Sequence, residues 1–148
     1  MKILIDADAS PVTNIATQVA EKEGLPLVLV CDTSHILYSE YGEVVIVSKG
    51  MDAADFALIN RVDQGDIIIT GDYGVAAMSL AKKAHPISHN GKWFTNDNMD
   101  QMLFERHVSK RARRSEQRSH GRGPKKRTKE DDIKFKESLQ KLITFLSK

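Results

Sequence analysis

Asp66-Ile67-Ile68-Ile69-Thr70-Gly71-Asp72-Tyr73-Gly74-Val75-Ala76 is an apolar, β-branched run bounded by acids, and a helical pattern follows it at once. Three consecutive isoleucines leave no polar face, so the run predicts a strand covered on both sides, as in the interior of a parallel sheet. Asp72 then falls at the strand's carboxyl end, where open α/β sheets place their chemistry. The chain opens on the same design, with Lys2-Ile3-Leu4-Ile5 leading into Asp6-Ala7-Asp8. We expect these two strands to lie side by side, flanking the point where strand order reverses, so that their aspartates share one crevice.

Working outward, Ser10 and Pro11 read as the N-cap and first position of a helix that runs to about Lys22 and stops at Gly24. Ile15, Ala16, Val19 and Ala20 form its apolar stripe. Strands are expected over Leu25–Cys31 and Glu43–Ser48, with 33–42 as loop. A helix over Met51–Arg61 carries Phe56, Ile59 and Val62 on one side, and it projects Asp52 and Asp55 from one face of its first turn. Another helix runs from Tyr73 to Lys83, presenting Ala76, Ala77, Leu80 and Ala81 to a sheet. Asn90-Gly91 predicts a hairpin over 85–94.

A helical pattern from Asn96 to about Gln117 loses its apolar side after Leu103 and Val108. Ser119 to Arg127 is the one clear linker. Thr128 with Asp131 is a capping box that opens a last helix to Ser147, striped by Ile133, Phe135, Leu139, Leu142, Ile143 and Leu146. Strands alternating with helices imply right-handed βαβ units and a parallel sheet. The expected fold class is therefore α/β, a three-layer parallel-sheet domain over 1–95. A basic helical extension over 96–148 packs on the same domain.

At 148 residues the chain suits one domain with a real core. Cys31 is the lone cysteine, which excludes an internal disulfide and points to a reducing cytoplasm. The N-terminus lacks the features of a signal peptide, and no apolar run approaches the roughly 20 residues of a membrane span. Charge is strongly segregated: residues 1–105 hold 7 Lys and Arg against 15 Asp and Glu, whereas residues 106–148 hold 15 against 5. An acidic body with a basic tail suggests that a polyanion is brought to a carboxylate site, with a cation reconciling the two. Arg106, Lys110, Arg111, Arg113, Arg114, Arg122, Lys125, Lys126 and Arg127 are the candidate nucleic-acid contacts, RNA being the expected partner.

Asp6, Asp8, Asp52, Asp55 and Asp72 all fall at strand ends or at a helix start rimming the same crevice. Two like charges about 5 Å apart repel by roughly 3 kcal/mol at an effective dielectric near 20, so such a set calls for cations. Oxygen ligands without neighbouring Cys or His favour Mg²⁺ or Mn²⁺, and the candidate metal ligands are Asp6, Asp8, Asp55 and Asp72. The plainer alternatives are that Asp52 caps its helix, that Asp8 closes a turn, and that Lys49 is the counterion. Trp93 reads as core, and the five histidines show no metal spacing.

Taken together, Asp6-Ala7-Asp8-Ala9-Ser10-Pro11, Gly50-Met51-Asp52-Ala53-Ala54-Asp55, the 68–76 stretch and Gly123-Pro124 ahead of a helix containing Asp132 and Phe135 resemble the YaiI/YqxD family over nearly the whole chain. Residues 1–84 are also similar, more weakly, to the PIN-like nuclease superfamily. That likeness implies a PIN-like sheet with a carboxylate cluster holding Mg²⁺ or Mn²⁺. It makes Asp6 the first-strand ligand, Asp55 the helix-borne acid and Asp72 the acid after the fourth strand, with Asp8 and Asp52 auxiliary.

The leading expectation is a metal-dependent ribonuclease whose catalytic residues are Asp6, Asp55 and Asp72. The alternative is a non-catalytic RNA-binding or ribosome-associated module. A haloacid-dehalogenase-like phosphatase, with Asp6 and Asp8 as nucleophile and acid and Thr33 and Lys49 in support, ranks lower. It needs a second acid where Ala76 and Ala77 stand.

Overall fold

A computed structural model describes residues 1–8, 10–33, 39–50, 53–100 and 126–148. Their elements run β1 (Ile3–Asp6), α1 (Thr13–Glu23), β2 (Leu27–Asp32), β3 (Glu43–Val47), α2 (Ala53–Asn60), β4 (Ile67–Ile69), α3 (Tyr73–Ala81), β5 (His85–Ile87) and α4 (Lys129–Leu146). The five strands form one sheet in the order β3-β2-β1-β4-β5, and every pair is parallel. Ile3 stands opposite Leu27 on one side and Ile67 on the other. The chain builds outward from β1 to β3 and then returns to add β4 on the far side of β1. The order therefore reverses between β1 and β4, as the opening stretch predicts.

Alternation along the strands sends side chains into two separate cores. Ile3, Ile5, Leu27, Leu29, Ile67 and Ile69 meet Ala16, Val19 and Ala20 of α1 and Phe135, Leu139, Leu142 and Ile143 of α4. Leu4, Val28, Val30 and Ile68 meet Leu58 and Ile59 of α2 and Val75 of α3 on the opposite face. All three isoleucines of β4 are fully buried. At about 1.5–3 kcal/mol for each large aliphatic side chain removed from water, these two layers drive the fold. Helix α4 is thus part of the first core, where the last helix of a basic extension was expected to pack.

Several local readings change. Helix α1 starts at Thr13, with Val12 at its N-cap position and no side-chain cap. Ser10 instead uses its hydroxyl to accept the Val12 N–H at 3.4 Å, which closes a turn around Pro11. The helix does end at Gly24, whose φ of 68° lets the Leu25 N–H reach back to the Ala20 carbonyl at 2.9 Å.

The 85–94 segment is only partly a hairpin. Ser88 N–H donates to the Lys92 carbonyl at 2.9 Å, and Ile87 makes a single antiparallel bridge to Trp93. His85–Ile87 itself joins the sheet as parallel edge strand β5, because its partner β4 offers an open edge. Trp93 is half-buried: its indole N–H donates to Ser138 Oγ at 2.9 Å and its ring lies 6.0 Å from that of Phe145. Phe56 and Ile133, read as stripe residues, are 60% and 57% exposed. In α2 the buried pair is Leu58 and Ile59, and in α3 it is Val75, Ala76 and Ser79 that are buried, with Ala77 and Ala81 outside.

The turn at Gly91 is fastened to α4. Gly91 has φ of 86°, and a Cβ there would lie 2.9 Å from Ser138 Cβ and 3.2 Å from the Lys134 carbonyl oxygen. Gly91→Ala is therefore expected to destabilise the protein by more than about 1 kcal/mol, read as a lower urea midpoint. An unchanged midpoint would show that this turn does not bear on α4.

Candidate acidic site

The crevice between the carboxyl ends of β1 and β4 collects acids from several elements. Asp6 closes β1, Asp55 lies in the first turn of α2, and Asp72 is the N-cap of α3. Thr70, fully buried at the end of β4, ties two of them together. Its hydroxyl donates to Asp6 Oδ2 at 3.4 Å and accepts the Asp72 N–H at 3.0 Å. Asp72 Oδ1 in turn accepts the N–H groups of Gly74 at 2.7 Å and Val75 at 3.1 Å. Asp8 accepts the Asp32 N–H with both carboxylate oxygens at 3.2 Å, joining the ends of β1 and β2.

Electrostatics shows the convergence most directly. The Asp6 carboxyl is pushed up to about 6, first by burial and then by the negative charges of Asp55, Asp8 and Asp72; the Thr70 hydroxyl opposes this weakly. Asp55 and Asp72, 49 and 66 residues away along the chain, and the neighbouring Asp8 therefore all act on Asp6. Among the described residues no Lys or Arg is among the groups acting on Asp6, and Lys49 is exposed beyond β3. The lysine-counterion alternative has no support in this arrangement.

The donor set is all oxygen, which suits a hard divalent ion by charge. Among the described residues, however, no three His, Cys, Asp or Glu side chains form a ready-made metal-holding group. Asp72 and Asp8 direct carboxylate oxygens at backbone N–H groups instead. A Mg²⁺ site does not require such a cage, since this ion is commonly held by one or two carboxylates together with water and substrate phosphate.

Asp52 and the basic residues Arg106, Lys110, Arg111, Arg113, Arg114, Arg122 and Lys125 lie outside the described residues, as does the helical pattern beyond 100. Lys126 is exposed. Arg127 is anchored: Nε donates to Asp132 Oδ1 at 2.6 Å and Nη2 to the His89 carbonyl at 2.8 Å. Arg127 is thus fixed beside the 88–91 turn. His89 packs so closely on Gly71 that a Cβ there would stand 3.1 Å from its ring. Burial, and then the Arg127 charge, hold the His89 imidazole below the ordinary 6.5, so it is neutral at pH 7.

Two residues at this edge are not singled out as site residues by the sequence. Asp32 directly follows an apolar strand, the same signal that singled out Asp6 and Asp72. His89 carries no such signal, because only the placement of β5 next to β4 brings it to Gly71. The haloacid-dehalogenase-like reading gains nothing: Ala76 is buried in α3 and Ala77 supplies no acid. No helix among the described residues is long and apolar enough to cross a membrane.

A family model described as "Uncharacterized BCR, YaiI/YqxD family" matches residues 4–145. A UPF0178 protein of Clostridium acetobutylicum is 51% identical over 143 residues, covering 97% of each chain. One from Lachnoclostridium phytofermentans is 50% identical over 148 residues and 99% of each chain. A third, from Exiguobacterium sibiricum, is 43% identical over 144 residues and 97% of each. No solved structure matches.

Proposed function

The chain belongs to the YaiI/YqxD family, and from its own chemistry we propose that it is a Mg²⁺- or Mn²⁺-dependent, ribonuclease-like protein acting on RNA phosphodiesters in a reducing cytoplasm. The observation that carries this reading is the mutual action of Asp55, Asp8 and Asp72 on Asp6 at the strand-order reversal. Repulsion of that kind favours capture of a divalent cation. One or two of Asp6, Asp55 and Asp72 would hold it together with water and substrate phosphate, with Asp8 and Asp52 auxiliary. A bound ion there supplies a Lewis acid for the phosphate and an activated water. Thr70 keeps Asp6 and the Asp72 loop in a fixed relation. The basic residues from Arg106 to Arg127 steer the RNA backbone toward an otherwise repulsive crevice.

The test is cleavage of single-stranded and structured RNA with added Mn²⁺ or Mg²⁺, compared with Asp72→Asn. Asparagine is as good an N-cap as aspartate, so this variant keeps the α3 cap. It is expected to lose at least about tenfold of the turnover while its urea midpoint stays within about 0.5 kcal/mol of the parent's.

A second reading is favoured by the lack of a ready-made three-carboxylate group among the described residues. It makes the chain a non-catalytic RNA-binding module. Absence of cleavage with any RNA, together with binding that falls with salt at a log–log slope of about −4 to −5 for six phosphate contacts, would favour it. Failure to bind RNA at low salt removes both readings.

A further inference from the structure

Next to Asp72, between the carboxyl ends of β4 and β5, lies a cavity of about 340 Å³. That volume is at the lower end of the roughly 300–1,000 Å³ of small-ligand sites. It opens between Gly71 and Tyr73 on one wall and the 88–92 turn and Phe94 on the other. The geometry points to this cavity as a subsite for one unstacked nucleobase of a single-stranded nucleic acid, flanking the phosphodiester presented to the acids. The inference deepens the proposed function and rests on it for the identity of the strand, but the pocket is defined by other residues.

Three features favour a base. First, the half-buried Tyr73 lines the pocket with an aromatic surface, its ring braced edge to face by the buried Phe94 with centroids 5.7 Å apart. Bases stack on such surfaces whatever their identity. Second, the polar groups are of the kind that read a base edge. Asn90 contributes a side-chain amide, and Ser88 a hydroxyl that already accepts the Asn90 and Lys92 N–H groups at 3.3 and 3.0 Å. The exposed Lys92 is the one lysine or arginine among the lining residues and supplies a positive charge for a flanking phosphate. Third, His89 Nε2 is buried without a hydrogen-bond partner among the described residues, in a wall the ligand would touch. A buried nitrogen left without a partner is costly, and a small shift of the ring on ligand entry would give it one.

The walls are also held in place. Arg127 grips the His89 carbonyl from just ahead of α4, and Gly71, without a Cβ, lets the imidazole pack closely against it. A larger cavity of about 660 Å³ lies at the opposite, amino end of the strands, lined by Lys2, Tyr41 and Arg61 among others. It is remote from the acids, and Lys2 there already pairs with Asp66 at 2.6 Å and Asp63 at 2.8 Å. It offers no route to a phosphodiester at Asp6.

The test is calorimetric titration of the full chain, in chelator, with uridine 5′-monophosphate, adenosine 5′-monophosphate and ribose 5-phosphate. RNA cleavage by the same preparation is measured in parallel. Both nucleotides are expected to bind at least about tenfold more tightly than ribose 5-phosphate, with Tyr73→Leu removing most of that difference. Nucleotide binding is also expected to shift the His89 ring resonances. Lys92→Gln, an exposed change, should weaken all three ligands alike and keeps the question answerable if Tyr73→Leu does not fold. Equal affinity for nucleotide and ribose 5-phosphate, or nucleotide binding that leaves His89 unmoved, overturns the subsite. Cleavage of RNA without nucleotide binding overturns the subsite alone. Nucleotide binding without cleavage supports the pocket and counts against the hydrolytic reading.

Discussion

Asp6→Asn is expected to make the metal-free protein more stable and the metal-loaded protein inactive. In the unfolded chain this carboxyl titrates near its ordinary 3.8, and in the fold near about 6. Between those values the folded state holds more protons, so stability falls as pH rises from about 4 to 6 and the full penalty is present above that. A displacement of this size corresponds to an upper figure on the order of 3 kcal/mol. Partial exposure of Asp6 to solvent screens some of it, leaving about 1–2 kcal/mol for asparagine to recover at pH 7.5. At pH 4 the two proteins should unfold at nearly the same urea concentration, because the native carboxyl is then already neutral.

Addition of Mn²⁺ reverses the order. An ion at one hundred times its dissociation constant stabilises the native state by about 2.7 kcal/mol, and only the parent should gain it. Cleavage by Asp6→Asn should fall by more than the 10–100-fold that loss of an outer supporting residue produces. Thermal unfolding with and without Mn²⁺, together with an RNA cleavage assay, reads all of this. A parent that gains no stability from Mn²⁺ would remove the metal from the proposal and leave the acids as a charged rim. An Asp6→Asn protein less stable than the parent at pH 7.5 would mean that the Asp6 carboxylate stabilises the metal-free fold, against the burial and repulsion described.

Phe135→Ala carries the largest expected loss of stability, about 3–5 kcal/mol, against a total of 5–15 for an ordinary domain. Phe135 is fully buried and shares its core with strands β1, β2 and β4 and with helix α1. Truncation therefore opens a cavity beneath the sheet that the flanking isoleucines cannot fill. Ile133→Ala, two residues earlier on the same helix, is the internal control. Its side chain is mostly in solvent, so its cost should stay within about 0.5 kcal/mol. Equal effects of the two substitutions on urea unfolding would show that α4 does not dock through the face described. The same helix holds the Arg127 contact to His89, so loosening it should also weaken nucleotide binding at the Gly71 pocket.

The sequence alone determined the elements whose signals are local. A short, β-branched apolar run closed by Gly71 favours a strand buried on both faces, and Ile67–Ile69 is one. Thr128 with Asp131 closes its capping box, with Thr128 N–H donating to Asp131 Oδ2 at 2.9 Å, because both partners lie within one turn. The family likeness and the strand-end position of Asp6 and Asp72 were legible for the same reason. Helix faces were less so: Phe56 and Ile133 have the right spacing and polarity for burial. Which side of a short helix meets the sheet depends on the crossing set by neighbouring strands.

The tertiary structure decided everything that depends on which strands are neighbours. The pairing of β1 with both β2 and β4 brings Asp8, Asp55 and Asp72 to bear on Asp6, although they are up to 66 residues away in the chain. Placing β5 against β4 carries His89 to Gly71 and shapes the pocket beside Asp72. Charge repulsion, desolvation and contact fall off with distance through space and carry no record of separation along the chain.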